Sequence, residues 1–280
     1  MPAKKSLILF CAVIANLLFV SVCRPEAGSI PPSEAGAREV LDKSPRHSEW
    51  VKIPVPGSET KLDSFIVYPE RGDKAPVVIV IMEIYGLTDW IRAVTDNLAR
   101  EGFIAVAPDL LSGRGPGGGG TGAFPGRDDV VKAVSGLSSA DVTSMLNAVK
   151  DYAAALPAAT EKFATVGFCW GGGKSFSYTT AQPKLSAGVV YYGVSPPVEE
   201  LDSIVAPVLG LYGENDARVV STVKPAEEKM QKLGKTFVTH TYKGAGHGFL
   251  RAQEGMEGAN LEAAKQAWPT TIEFLKKYLE

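Results

Sequence analysis

Short apolar runs alternate with longer amphipathic stretches along most of the chain. Runs at residues 50–54 and 65–68 predict an opening pair of strands. The run at residues 77–82 is continuously apolar, which is typical of a strand buried in a parallel sheet. Further strands are predicted at residues 103–107, 163–166, 185–192, 208–212 and 237–242.

Helices are predicted between these strands. One covers residues 89–100 and is closed by Gly102. Another opens on a sequence that resembles a capping box at Ser138 and runs to residue 156. The others lie at residues 174–180, around 224–233, and at 261–279 with an interruption near Pro269. Alternation of this kind predicts an α/β fold with a mostly parallel central sheet and helices on both faces.

A turn rich in glycine surrounds Cys169, between the strand at 163–166 and the helix at 174–180. Gly167 and Gly171 allow the backbone to turn sharply there because glycine has no Cβ to clash. A strand, a tight turn with one nucleophilic side chain, and a helix form the layout of a nucleophile elbow, here with Cys in place of Ser. The adjacent helix N-terminus favours the thiolate.

Two further residues extend this pattern. Asp216 follows the strand at 208–212, and His247 follows the strand at 237–242. The order nucleophile, acid, histidine is that of the α/β-hydrolases, and loops at the carboxyl edge of a parallel sheet build such sites. The predicted roles are nucleophile for Cys169, general base and acid for His247, and orienting carboxylate for Asp216. The backbone N–H groups of Trp170 and Ile84 are the predicted oxyanion hole.

From about residue 51 to its end, the chain resembles the dienelactone hydrolases (carboxymethylenebutenolidases) of the α/β-hydrolase superfamily. The resemblance rests on several motifs in order: MEIYGL at 82–87, APDLL at 107–111, the Cys169 elbow, the Asp216 segment and GHGF at 246–249. It implies hydrolysis of small lactones or carboxylic esters through a Cys-Asp-His triad. It also implies that no organic cofactor or metal is needed.

The resemblance assigns roles to further residues. Glu83 is implied to interact with the nucleophile thiol and to help generate thiolate when substrate binds; the alternative is a surface glutamate at a strand end. Arg251 matches one of two arginines that hold the substrate carboxylate in this family. Arg114 is the nearest candidate for the second, although a glycine-rich loop disturbs the register. Tyr85 is a candidate for lining the pocket, with core packing as the alternative.

The N-terminus has the pattern of an export signal. Lys4 and Lys5 precede an apolar stretch at residues 6–22, which predicts a signal peptide at residues 1–23 and a periplasmic or secreted protein. An uncleaved membrane anchor and a lipoprotein lipidated at Cys23 are the alternatives. Residues 24–48 are rich in Pro, Gly, Ser and Glu, which predicts a linker or a loosely packed lead-in before a hydrolase domain at 49–280.

The composition is that of an ordinary globular protein, with 45% hydrophobic and 21% charged residues. The formal net charge of −2 gives no case for nucleic-acid binding. The expected partner is a small lactone or ester, and the expected state is a monomer. Two alternatives stay open: a broad carboxylesterase or thioesterase acting on neutral esters, and a non-catalytic ligand-binding protein of the same fold. The glycine-rich segment 113–126 is either a lid or a surface insertion.

Overall fold

A computed structural model describes residues 29–59 and 61–280 of the protein. The predicted signal peptide at residues 1–23, Cys23 and the first part of the lead-in lie outside the described residues. Among the helices that the structure describes, none combines the length and apolarity needed to cross a membrane.

Eight strands form one sheet in the order β1-β2-β4-β3-β5-β6-β7-β8. The pairs β1–β2 and β2–β4 are antiparallel, and every other pair is parallel. The fold class predicted from the sequence is therefore confirmed. The strands are β1 (Ser48–Pro54), β2 (Lys61–Val67), β3 (Ala75–Ile81), β4 (Ile104–Pro108), β5 (Ala159–Phe168), β6 (Ala187–Tyr191), β7 (Val208–Gly213) and β8 (Phe237–Tyr242).

Seven α-helices accompany the sheet in the described part of the chain. The helix predicted at 89–100 has those bounds, with Thr88 accepting a hydrogen bond from the Ile91 N–H as its cap. Ser138 likewise caps the next predicted helix, accepting from the Asp141 N–H at 3.0 Å. The helices are α1 (Ala37–Lys43), α2 (Asp89–Arg100), α3 (Arg127–Ser135), α4 (Ser139–Ala154), α5 (Trp170–Ala181), α6 (Ala217–Lys232) and α7 (Ala259–Leu279).

The central strands form the core. Every residue of β3 is buried, as are all residues of β4, β6 and β7. β1, at the edge of the sheet, alternates between exposed and more buried positions along most of its length. Burial on both faces explains why the central strands are continuous apolar runs in the sequence. A rigid sheet of this kind fixes the loops at the carboxyl ends of β3, β5, β7 and β8 relative to one another.

The last helix differs from the prediction because α7 continues through Pro269 without interruption. A proline inside a helix costs about 3 kcal/mol through the lost N–H donor and a steric clash. Trp268, Ile272 and Leu275 around it are buried against the core. Burial of such side chains contributes roughly 1.5–3 kcal/mol each, which offsets the cost of the proline.

The described part of the lead-in also differs from the prediction of a loose linker. It contains a 3-10 turn at Glu34–Gly36 and the helix α1. Arg46 then makes a two-pronged ion pair with Asp96 of α2, with nitrogen–oxygen distances of 2.9 and 2.5 Å. Ser44 donates to the same carboxylate at 2.5 Å, and Asp96 is only 2% exposed. Polar contacts to a distant helix hold this segment, and composition alone does not reveal them.

Replacing Arg46 tests whether the lead-in belongs to the cooperative fold. Arg46→Met leaves the Asp96 carboxylate buried without its cation, and we expect a loss of about 3–5 kcal/mol in the free energy of unfolding. Urea denaturation measures this loss. The control is Arg38→Met, which breaks only exposed pairs with Asp42 and Asp89 and should cost less than about 1 kcal/mol. Equal stability of the two variants would contradict the assignment.

Candidate active site

Cys169 stands at the sharp turn between β5 and α5. Its backbone has φ 55° and ψ −118°, a left-handed conformation that costs a non-glycine residue of order 1–3 kcal/mol. Two hydrogen bonds hold it: the Cys169 N–H donates to the Tyr191 carbonyl at 3.0 Å, and the Gly173 N–H donates to the Cys169 carbonyl at 3.2 Å. The side chain is therefore presented at the carboxyl edge of the sheet.

The flanking glycines are required by close backbone contacts. A Cβ on Gly167 would lie 1.9 Å from the carbonyl oxygen of Gly171. A Cβ on Gly171 would lie 2.3 Å from the carbonyl oxygen of Met82, which follows β3. Any side chain at either position would force the start of α5 away from the sheet. The glycine pattern thus reflects a packing requirement of the turn.

The structure brings Cys169, His247 and Asp216 into one line of contacts. The Sγ atom of Cys169 lies 3.0 Å from Nε2 of His247, and Nδ1 of His247 lies 2.5 Å from Oδ2 of Asp216. The three residues follow β5, β8 and β7, whose carboxyl ends share one edge of the sheet. The buried ring of Tyr192 packs edge-on against the imidazole, with centroids 5.2 Å apart. This arrangement can pass a proton from sulfur to imidazole.

The predicted oxyanion donors also face the sulfur. The backbone N–H groups of Trp170 and Ile84 both act to lower the pKa of the Cys169 thiol. Burial raises the pKa more strongly, and the negative charge of Glu83 adds to that effect, so the net pKa lies above its usual value. The expectation of a thiolate from the helix N-terminus alone is thus outweighed by burial. Burial and the Glu83 charge thus both favour the protonated thiol.

Glu83 is buried rather than a surface residue at a strand end. It follows β3 closely and is 2% exposed. Its Oε2 atom lies 2.7 Å from Nε of Arg251. Burial raises the pKa of its carboxyl to about 7, although Arg251 opposes the shift. A carboxyl that titrates near neutrality beside a thiol can either accept or hold a proton.

The two arginines suggested by the sequence lie in different parts of the structure. Arg251 lies at the site, with its guanidinium carbon 5.2 Å from the ring centroid of Tyr85. Arg114 does not join it: its Nη2 pairs at 3.2 Å with Asp141, in the first turn of α4. The reason is the glycine-rich loop, where Gly113 has a φ of +77° and the Arg114 N–H closes a turn onto the Leu111 carbonyl.

A different arginine occupies the neighbourhood of Tyr85. The guanidinium carbon of Arg127 lies 3.5 Å from the Tyr85 ring centroid. Sequence reasoning missed Arg127 because it opens α3, a helix for which there was no prediction. The available signal was its place at the end of the glycine-rich loop, directly after Gly126. Tyr85 is thus a half-buried platform for two arginines.

A cavity of about 430 Å³ opens beside Cys169. Its apolar walls include Trp170, Val194 and Pro196, and its size suits a small organic molecule. Lys174 and Arg218 also line it, and neither was a predicted site residue. The positive charge of Arg218 acts to lower the pKa of the Cys169 thiol.

The glycine-rich loop is tied to the loop that carries Glu83 and Tyr85. The Thr121 N–H donates to Asp109 at 2.6 Å, and its hydroxyl donates to the same carboxylate at 2.8 Å. The Leu87 N–H in turn donates to the Thr121 hydroxyl at 3.1 Å. Whether the loop acts as a lid stays a prediction.

Over residues 29–59 and 61–280, no three His, Cys, Asp or Glu side chains are grouped as metal ligands would be.

Comparison with known proteins identifies the family to which this architecture belongs. The dienelactone hydrolase family model matches residues 62–279. A candidate carboxymethylenebutenolidase of Methylorubrum extorquens is 29% identical over 276 residues, covering 94% of this chain and 92% of the relative. A second candidate carboxymethylenebutenolidase, from Synechocystis, is 30% identical over 230 residues, covering 77% of this chain and 92% of the relative.

A solved structure agrees with these sequence relatives. The crystal structure of a candidate dienelactone hydrolase from Klebsiella pneumoniae superposes with a TM-score of 0.73 at 29% identity, covering 83% of this chain and 99% of that one. The family model, the sequence relatives and the solved structure all indicate one family. The chain therefore belongs to the dienelactone hydrolase family of α/β-hydrolases and is a hydrolase acting on ester bonds.

Proposed function

We propose that the protein hydrolyses small lactones or carboxylic esters by nucleophilic attack of Cys169. The observation that carries the proposal is the unbroken line from Sγ of Cys169 through the imidazole of His247 to the carboxylate of Asp216, with contacts of 3.0 and 2.5 Å. Nucleophile, base and orienting acid stand within the distances that covalent catalysis requires.

The first half-reaction forms a thioester. As Sγ bonds to the substrate carbonyl carbon, the thiol proton passes to Nε2 of His247, and Asp216 stabilises the imidazolium. The negative charge that develops on the carbonyl oxygen is received by the N–H groups of Trp170 and Ile84. The tetrahedral intermediate then collapses: the carbon–oxygen bond breaks, and His247 returns its proton to the leaving oxygen.

The second half-reaction restores the enzyme. A water molecule gives a proton to Nε2 of His247 and attacks the thioester carbonyl. Collapse of the second intermediate breaks the carbon–sulfur bond, and the imidazolium returns the proton to Sγ. The same two N–H groups stabilise both intermediates, so the elbow serves each half-reaction.

Glu83 supports this cycle by its charge and position. It holds Arg251 in a buried ion pair, and a carboxylate with a pKa of about 7 is a stronger base than an ordinary glutamate. Its charge raises the pKa of the thiol in the resting enzyme. It can therefore keep Cys169 protonated before substrate binds, while His247 takes the thiol proton during the reaction.

A second candidate function is hydrolysis of neutral esters. Glu34 pairs with Arg251 and lies 3.8 Å from Arg127, so both arginines next to Tyr85 already face a carboxylate. This observation favours substrates without a carboxylate of their own.

Export is a further part of the proposal, and the N-terminal sequence pattern supports it. The proposed enzyme is a monomer that meets its small substrate outside the cytoplasm.

Removing the nucleophile or its orienting acid tests the mechanism. We expect Cys169→Ala to lose turnover of a dienelactone and of a neutral short-chain aryl ester by a factor on the order of 10⁴ or more. Asp216→Asn should lose about 10⁴-fold in kcat, because the imidazole then holds the wrong tautomer. Steady-state hydrolysis of both substrates measures these losses.

The matched control for the acid is Asp202→Asn, which removes an exposed carboxylate paired with Lys229. It should leave turnover unchanged. Turnover of both substrates by the wild type that persists in Cys169→Ala would refute the nucleophile. Absence of any Cys169-dependent turnover would favour the non-catalytic ligand-binding protein.

The effect of Glu83 on the thiol is tested by alkylation. Glu83→Gln removes the negative charge that raises the Cys169 pKa, so the pH profile of carbamidomethylation by iodoacetamide should move to lower pH. The reaction rate is followed between neutral and alkaline pH, with Cys169→Ala as background for Cys11 and Cys23. The exposed Glu228→Gln is the control and should leave the profile in place. A shift to higher pH in Glu83→Gln would overturn the assignment.

A further inference from the structure

Glu34 comes from the lead-in, yet its carboxylate lies among the arginines of the candidate site. One oxygen pairs with Nη1 of Arg251, and the other lies 3.8 Å from Nη2 of Arg127. Both guanidinium groups also contact the ring of Tyr85, whose neighbour Ile84 lines the cavity beside Cys169. A residue far from the elbow in sequence is thus linked through Arg251 to Glu83 and to Tyr85, in the loop that follows β3.

The segment before Glu34 is anchored by interior side chains. Gln253 donates to the Pro31 carbonyl at 2.9 Å, and the indole N–H of Trp90 donates to the Pro32 carbonyl at 3.0 Å. Trp90 is 1% exposed and Gln253 is 8% exposed. The Glu34 N–H also donates to the backbone carbonyl of Arg251 at 2.9 Å. These contacts fix the position from which the Glu34 side chain reaches the arginines.

The chemistry of the cluster is that of carboxylate recognition. Guanidinium groups bind carboxylates through charge-assisted hydrogen bonds, and an aromatic ring beneath them holds their planes. Here the cluster contains two cations, Arg251 and Arg127, and two carboxylates, Glu83 and Glu34. With both carboxylates ionised, the charges cancel. An anionic substrate group therefore meets no net positive charge unless Glu34 leaves.

We propose that Glu34 determines substrate specificity by occupying the arginine pair as an internal carboxylate, so that the resting enzyme prefers esters and lactones that are uncharged at this position. The inference rests on the proposed hydrolase function and names its substrate class. Substrates that carry a carboxylate have to displace Glu34 to reach Arg251 and Arg127. Since the Glu34 side chain is 44% exposed, this competition is moderate rather than absolute.

Removing the charge of Glu34 should reverse the preference. The test compares kcat/KM for an aryl acetate and for the hemisuccinate of the same phenol, which adds a carboxylate to the acyl group. In Glu34→Gln we expect the ratio of hemisuccinate to acetate to rise roughly five- to tenfold, because the arginines become free for the substrate anion. Adding Arg127→Gln to Glu34→Gln should cancel part of that gain.

The control is Glu39→Gln, which removes a charge from the same lead-in but breaks only an exposed pair with Lys43. Its ratio should equal that of the wild type. An unchanged ratio in Glu34→Gln, with acetate turnover still dependent on Cys169, would overturn this inference and leave the proposed hydrolase in place. Absence of Cys169-dependent turnover of either ester would instead count against the hydrolase.

A binding measurement keeps the inference testable without turnover. In the Cys169→Ala background, calorimetric titration with phenylacetate should give tighter binding when Glu34→Gln is added, by a similar factor. Equal affinity in the two proteins would overturn the role of Glu34. Thermal unfolding checks that each variant is folded. Glu34→Asp, with its charge retained on a shorter side chain, should give a ratio between those of the wild type and Glu34→Gln, and it replaces Glu34→Gln if that variant does not fold.

Discussion

The close approach of the first turn of α5 to the end of β3 is the constraint on which the site depends. Gly167 and Gly171 permit it, and Cys169 between them adopts a backbone conformation that an isolated chain would avoid. The sheet stabilises this strained conformation, because the hydrogen bond from the Cys169 N–H to the Tyr191 carbonyl ties the turn to β6. Once the turn is set, the N–H groups of Trp170 and Ile84 face the sulfur. The proposed nucleophile and the proposed oxyanion donors are thus products of a single local geometry.

The sequence predicted the sheet and the residues at its carboxyl edge because both have strong local signals. Continuous apolar runs mark the buried strands, and glycines mark the turn at Cys169. Asp216 and His247 follow directly from the strands before them. Contacts between distant segments were not predictable in this way. Arg114 was expected near the substrate and instead pairs with Asp141, whereas Arg127, on an unpredicted helix, lies against Tyr85. Helix α1 packs on α2, and the anchoring of Glu34 depends on Gln253 and Arg251, late in the chain.

Charge at the site is arranged in two adjoining groups. Cys169, His247 and Asp216 form the first, through which the proposed proton transfer runs from sulfur to imidazole. Arg251, Glu83, Glu34 and Arg127 form the second, whose charges cancel when the carboxylates are ionised. Glu83 belongs to both, because it pairs with Arg251 and raises the pKa of the thiol. A change of charge in the second group is therefore felt at the nucleophile. On the proposed roles, recognition of the substrate and activation of the sulfur are therefore electrostatically coupled.

This coupling gives the raised thiol pKa a functional meaning. The thiolate is the form that reacts with oxidants and binds metal ions. A sulfur that keeps its proton at rest is therefore less reactive towards both. That protection matters most outside the cytoplasm, where the N-terminal pattern predicts the protein to act and where thiols are readily oxidised. In the proposed mechanism, Cys169 then gains its reactivity from His247 at the moment of attack. A cysteine in place of serine is thus compatible with the predicted export, because burial and a neighbouring carboxylate favour its protonated, less reactive form.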